Sequence, residues 1–165
     1  MVLNLLTIPS ASSDILNPNP IVYAHCTLKG LQAGVLFGSV SGAIINIYNI
    51  YYSKAEKNFN WLRVGKYARN SILPFILIVN KMCYDRLSAS NIQQNQSRAY
   101  RIHKNQGQNL VDDLTLGGLI GGTIFGAIKK QKSVSSILIF SSMGALSGLI
   151  LDFGILFGKT VTNKH

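Results

Sequence analysis

A chain of 165 residues has room for one domain of ordinary size. Hydrophobic residues make up 47% and charged residues only 13%, about half of the roughly 25% usual in soluble domains. Sixteen Lys+Arg against 6 Asp+Glu leave a net charge of +10, which is too apolar a setting for a disordered basic tail and too poor in charge to coat a soluble globule.

Mean hydropathy is +0.23, modest for a membrane protein, so the polarity must be segregated along the chain. Lys29 and Lys54 bracket a charge-free stretch, 30–53, and Lys132 and Asp152 bracket another, 133–151. Each exceeds the roughly 18 apolar residues that a membrane-crossing helix needs. Two cysteines cannot build a disulfide scaffold or a four-ligand zinc site, and His25, His103 and His165 are scattered. No HExxH, CxxC, GxSxG or Walker-type loop is present, so no catalytic, cofactor-binding or metal-binding residues are assigned.

The N-terminal tail, 1–28, holds no Lys or Arg before Lys29 and ends its polar part at Asn17–Pro18–Asn19–Pro20. It reads as a retained tail rather than a cleaved signal or presequence, both of which need basic residues. The membrane domain is expected over 29–158. Its first helix is predicted at about 30–51, with Tyr48, Tyr51 and Tyr52 closing it in the headgroup region. A basic loop follows, with Lys54, Lys57, Arg63, Lys66 and the interfacial Trp61.

A second helix is predicted at about 64–84, the weakest span, charge-free only over 70–80. Lys66, Arg69 and Lys81 would have to snorkel, and Pro74 should kink it. A re-entrant or soluble-type helix is the alternative there. The stretch 86–110 is polar and reads as a long loop, helical in part and facing a partner. The third helix is predicted at about 112–130 and the fourth at about 134–157, joined by the basic turn Lys129, Lys130 and Lys132. The C-terminal tail is 159–165. The fold class is therefore all-α: a membrane protein of four transmembrane helices, with both ends on one side. Lys and Arg divide evenly between the two sides, so charge does not set the orientation.

The strongest signal is glycine spacing. Gly30, Gly34, Gly38 and Gly42 recur every four residues, as do Gly118, Gly122 and Gly126, beside Gly117 and Gly121. Gly144 and Gly148 form a further pair. Random placement at about 7% Gly would give roughly one such pair in a chain of this length. Residues four apart share a helix face, so these stripes are flat grooves that admit a second backbone.

Four short helices with Gly stripes on the first, third and fourth resemble the superfamily of mitochondrial inner-membrane translocase channel subunits. The run Leu116–Gly117–Gly118–Leu119–Ile120–Gly121–Gly122, ending at Gly126, looks like its Gly-rich core motif. Import subunits carry an Arg and an Asp at fixed spacing ahead of those glycines. Here Arg101 is followed four residues later by Asn105, and the distance onward to Gly117 is longer.

The chain is more similar to the superfamily's four-helix accessory subunit of respiratory complex I. The likeness lies in Val64–Gly65–Lys66–Tyr67 at the start of the second helix, then in the order of double-Gly third helix, basic turn and small-residue fourth helix. That resemblance implies a non-catalytic subunit without cofactors, in the mitochondrial inner membrane. It implies partners among the membrane-arm subunits of NADH:ubiquinone oxidoreductase, with complex III at supercomplex contacts. The runner-up is a channel-forming translocase subunit, with a polar groove lined by residues such as Asn46, Asn49 and Asn80.

Cys26 and Cys83 lie at ends of the first two helices that meet in a hairpin. The resemblance places that face, and both termini, in the intermembrane space, where a disulfide can form; two unpaired thiols remain the alternative. The basic loops read as contacts to anionic phospholipid, cardiolipin included, at Arg63, Lys66, Lys129 and Lys130. No nucleic-acid motif accompanies the charge. Asp152, within the fourth helix, is expected near the interface or paired with a Lys or Arg of a partner.

Overall fold

Asparagine side chains start three of the helices. Asn60, Asn91 and Asn105 each accept a hydrogen bond from the backbone N–H three residues on, at Arg63, Gln94 and Gln108, which satisfies one of the orphan donors of a helix N-terminus. The computed structural model describes residues 11–53, 58–129 and 133–162. After a short 3-10 turn, Ser12–Asp14, come α1 (Asn19–Tyr51), α2 (Trp61–Ser88), α3 (Ile92–Lys104), α4 (Gln106–Ile128) and α5 (Val134–Thr162). No strand occurs among the described residues.

The expected all-α class holds, and the boundaries move. α1 begins at Asn19 instead of about 30, because Pro20 in its first turn needs no N–H donor there. The stretch 86–110, expected as a long polar loop helical in part, is almost wholly helical. Ser88 ends α2, and the caps Asn91 and Asn105 start α3 and α4. α2 runs without a break through Pro74. Lys130 and the positions before 11 and after 162 lie outside the described residues.

Three helices are long and apolar enough to cross a membrane, Asn19–Tyr51, Gly107–Ile128 and Val134–Ile155. That is the make-up of a multi-pass membrane protein. The expected fourth span, α2, does not reach that composition, because Arg63, Lys66, Arg69 and Asn70 dilute its first half. Its length and neighbours are nonetheless those of the other helices.

Two antiparallel hairpins form the molecule, α1 with α2 and α4 with α5. They meet along a thin apolar seam of Val35, Ala145 and Leu149, flanked by Leu31, Ile72 and Val111. α3 crosses one end of the bundle. It turns Asn95, Ala99 and His103, at helical four-residue spacing, inward. There Ala99 joins Ile15, Val22, Cys83 and Leu87 in a second small core. The start of α1 and the end of α5 lie at this α3 end, so both described chain ends are on one side. At the opposite end Tyr48, Tyr51, Tyr52 and Trp61 are exposed, the placing expected of aromatic residues at a membrane boundary.

Candidate functional site: glycine interfaces and a buried polar latch

The α1 glycines face the backbone of α2 throughout. A Cβ added at Gly30, Gly34, Gly38 or Gly42 would stand 2.8, 2.7, 2.5 or 2.8 Å from backbone atoms of Ile76, Ile72, Tyr67 and Val64. No side-chain rotation relieves a clash with main chain, so only glycine permits this approach. In α4 and α5 the glycines face each other. Gly118 lies on Gly144, Gly122 on Phe140 and Ser141, Gly126 on Ile137, and Gly148 on Leu114.

Two of the expected packing residues are elsewhere. A Cβ added at Gly117 or Gly121 would meet no neighbouring atom within 4 Å, and both lie on the open face of α4. The reason is helical phase: each precedes a packed glycine by one residue, about 100° around the helix. The sequence run contains both registers and cannot say which one faces α5. Gly65 was not among the expected positions. It receives Ile139 and Met143 of α5, and its carbonyl accepts from Ser142 Oγ at 3.0 Å. As the sole glycine of α2 it belongs to no ladder, so spacing could not reveal it.

A polar cluster joins the hairpins where their backbones stand apart. Asp112 of α4 is 1% exposed and accepts three hydrogen bonds from α1. Lys29 Nζ and Gln32 Nε2 each donate to Oδ1 at 2.8 Å, and His25 Nδ1 lies 3.1 Å from Oδ2. Gln32 Nε2 also reaches Thr115 Oγ1 at 3.2 Å, and its Oε1 accepts from Lys29 at 2.8 Å. Gln108 Nε2 lies 3.1 Å from His25 Nε2. An amide nitrogen can only donate, so in this arrangement His25 Nε2 accepts and the ring proton sits on Nδ1, directed at Asp112. Lys29 supplies the countercharge of Asp112.

This latch was not legible from spacing. Its members are single polar residues at the edges of apolar runs, 83 positions apart for Lys29 and Asp112. A carboxylate two residues ahead of an apolar helix was the only available signal. Asp152 of α5 is 3% exposed, and its Oδ1 has no hydrogen-bond partner among the described residues. Asp152 is therefore buried within the described bundle.

The other expected sites divide in the same way. Cys26 and Cys83 come together against Val22 and Leu87, as free thiols that interact with each other and not as a formed disulfide. Arg63 and Lys66 lie in the first two turns of α2 and Lys129 follows the last residue of α4, all toward the end of the bundle opposite α3, with Lys129 Nζ 5.5 Å from the centre of the Phe125 ring. Arg69, which would sit within the second span, extends its guanidinium to Ser135 at the start of α5 and to Asn70. Asn46 is fully buried and clasps the main chain of Asn60, donating to its carbonyl and accepting from its N–H, both at 3.2 Å. Asn80 accepts from Thr27 Oγ1 at 3.1 Å inside the first hairpin. Asn46, at 0% exposure, lines no open groove. No group of three or more His, Cys, Asp or Glu suited to a metal occurs among the described residues.

No protein-family model matches this chain, and no curated protein matches it.

Proposed function

We propose that this chain is a non-catalytic, four-span scaffold subunit of the mitochondrial inner membrane, an accessory subunit of the membrane arm of NADH:ubiquinone oxidoreductase. The observation that carries the scaffold reading is the pair of hairpins closed by main-chain contact at Gly38 and Gly122. Such contacts make a rigid slab whose outer faces are free for neighbours. The particular assembly rests on the resemblance of the Gly-rich third helix and of Val64–Gly65–Lys66–Tyr67.

α2 acts as the fourth span in this reading. It lies against α1 over the whole glycine ladder, and its in-span Arg69 reaches toward the α5 N-terminus, as a snorkelling side chain does. The open Gly117–Gly121 face, beside exposed Ile120 and Ile124, is the surface offered to a partner helix. Supercomplex contact with complex III, cardiolipin at Arg63, Lys66, Lys129 and Lys130, and termini in the intermembrane space belong to the same proposal. So does oxidation of Cys26 and Cys83 to a disulfide in that compartment. Peptide mapping without reductant is expected to recover the two cysteine peptides linked; two alkylatable thiols in the native protein would remove that part.

Affinity purification from mitochondria tests the assembly. Complex I membrane-arm subunits are expected to co-purify in stoichiometric amount. Enrichment of protein-import machinery instead would replace the proposal with the translocase reading.

A further inference from the structure

Three adjoining hollows meet at Arg98, at the α3 end of the bundle. The largest, about 430 Å³, is polar and lined by Asn91, Gln94, Ser97, Arg98 and Arg101 of α3 and its cap. A second, about 280 Å³, shares Arg98 and Arg101 and adds Val22 and Ile102. The third, about 110 Å³, is an apolar slot between Val22, Cys26, Cys83 and Leu87, with Arg86 and Arg98 at its rim. No acidic residue lines any of the three among the described residues.

The guanidinium of Arg98 is half-buried yet has only neutral acceptors. Its Nη1 donates to Ser90 Oγ at 2.8 Å, Asn95 Oδ1 at 3.2 Å and the Arg86 carbonyl at 3.4 Å. Arg101, at an exposed position, donates through Nε to the Ser97 carbonyl at 3.3 Å. A fixed guanidinium without a carboxylate is a ready partner for a phosphate. The depth is also right. The slot lies beyond Lys29, where the charge-free stretch of α1 ends, at the level of the exposed Lys81–Asp85 pair and exposed Tyr84.

We propose that this trench is a binding site for one anionic phospholipid of the surrounding bilayer. Its phosphate sits between Arg98 and Arg101, with Arg86 nearby, and the first methylenes of an acyl chain enter the slot between α1 and α2. A free phosphate would use only the polar hollows and leave the slot unused. A zwitterionic lipid would place its ammonium beside three guanidiniums. The site rests on the membrane part of the proposed function, and is independent of which assembly the protein joins.

Native mass spectrometry of the full chain in detergent tests it, with an equimolar mixture of phosphatidylglycerol and phosphatidylcholine of the same chains. The wild type is expected to retain phosphatidylglycerol preferentially. Arg101→Gln, at an exposed position, is expected to lower that preference about five-fold, the effect of about one interfacial basic charge. Arg98→Gln with Arg101→Gln should bring the ratio near one. Lys104→Gln removes the same charge from the same helix outside the hollows and should leave the ratio within about two-fold of wild type.

Equal retention of both lipids by the wild type overturns the site, as does an equal loss in Lys104→Gln. Glycerol phosphate displacing the lipid at equal concentration also overturns it, because the slot then contributes nothing. Alkaline extraction from vesicles separates the two levels of failure. A protein washed off the vesicles defeats the membrane reading itself. A protein that stays but shows no lipid preference defeats the site alone.

Discussion

The two hairpins reach the same closeness by different routes. α1 presents an unbroken stripe of four glycines to a partner helix that contributes ordinary residues, Val64, Ala68, Ile72 and Ile76. α4 and α5 share the task, so that Gly118 and Gly144 each lie on the other's backbone. The first arrangement is a groove that accepts a ridge, while the second is a flat contact between two smooth faces. The difference also sets what is left over. α1 has every glycine inside its hairpin, whereas α4 keeps Gly117 and Gly121 on an open face. One hairpin is complete in itself, and the other retains a smooth surface for a further helix.

Gly38→Leu should have the largest effect, because even its Cβ would meet the Tyr67 carbonyl oxygen at 2.5 Å. A loss of about 3 kcal/mol or more is expected, at the upper end of overpacking costs. Thermal unfolding in detergent, together with loss of the assembled complex on native gels, reads it out. Near-normal stability would mean that the first hairpin is not closed by main-chain contact.

Asp112→Asn addresses the latch rather than either hairpin. It leaves Lys29 without its countercharge, and about 1–3 kcal/mol should be lost, less than for a fully buried pair because Lys29 is 29% exposed. A double-mutant cycle with Lys29→Gln should return a coupling of about 1 kcal/mol; additive losses would show that the ion pair does not join the hairpins. Asn46→Ala should cost about 1–2 kcal/mol, since it leaves the Asn60 N–H unpaired and removes one of the two hydrogen bonds its carbonyl accepts, the other coming from the Arg63 N–H. Hydrogen exchange at the Asn60 amide is the sensitive readout, and unchanged protection there would dismiss the clasp.

Gly121→Leu should be the mildest on the isolated protein, within about 0.5 kcal/mol, because the added side chain meets open space. Its contrast with Gly122→Leu is the sharpest test of the comparison. The two glycines are adjacent in sequence, and only Gly122 lies on the backbone of Phe140. Equal destabilisation by both would overturn the assignment of the inner and outer faces. Loss of the assembled complex in Gly121→Leu, with the isolated fold intact, would identify the outer face as a partner surface.

Much of the helical plan was legible in the sequence because charge-free runs and four-residue spacing are local signals. The stripe from Gly30 to Gly42 has only one phase, so its face could be read directly. The double run at Gly117, Gly118, Gly121 and Gly122 has two phases, and only the position of Phe140 and Gly144 distinguishes them. The stretch 86–110 reads as a loop on its polarity, yet Asn91 and Asn105 cap helices there. Polar helices that cross the end of a bundle bury only a narrow stripe, here Asn95, Ala99 and His103, so composition understates them.

By itself the sequence determined an all-helical chain, its apolar segments and the glycine faces that must meet something closely. Those properties depend on residues a few positions apart. The tertiary structure alone decided which glycines meet which helix and that α3 closes one end. It also decided that Asp112 gathers His25, Lys29 and Gln32 into one buried network. A hydrogen bond between positions 83 residues apart leaves no periodic trace in either segment. It arises only when two hairpins, each closed by its own glycines, are set side by side.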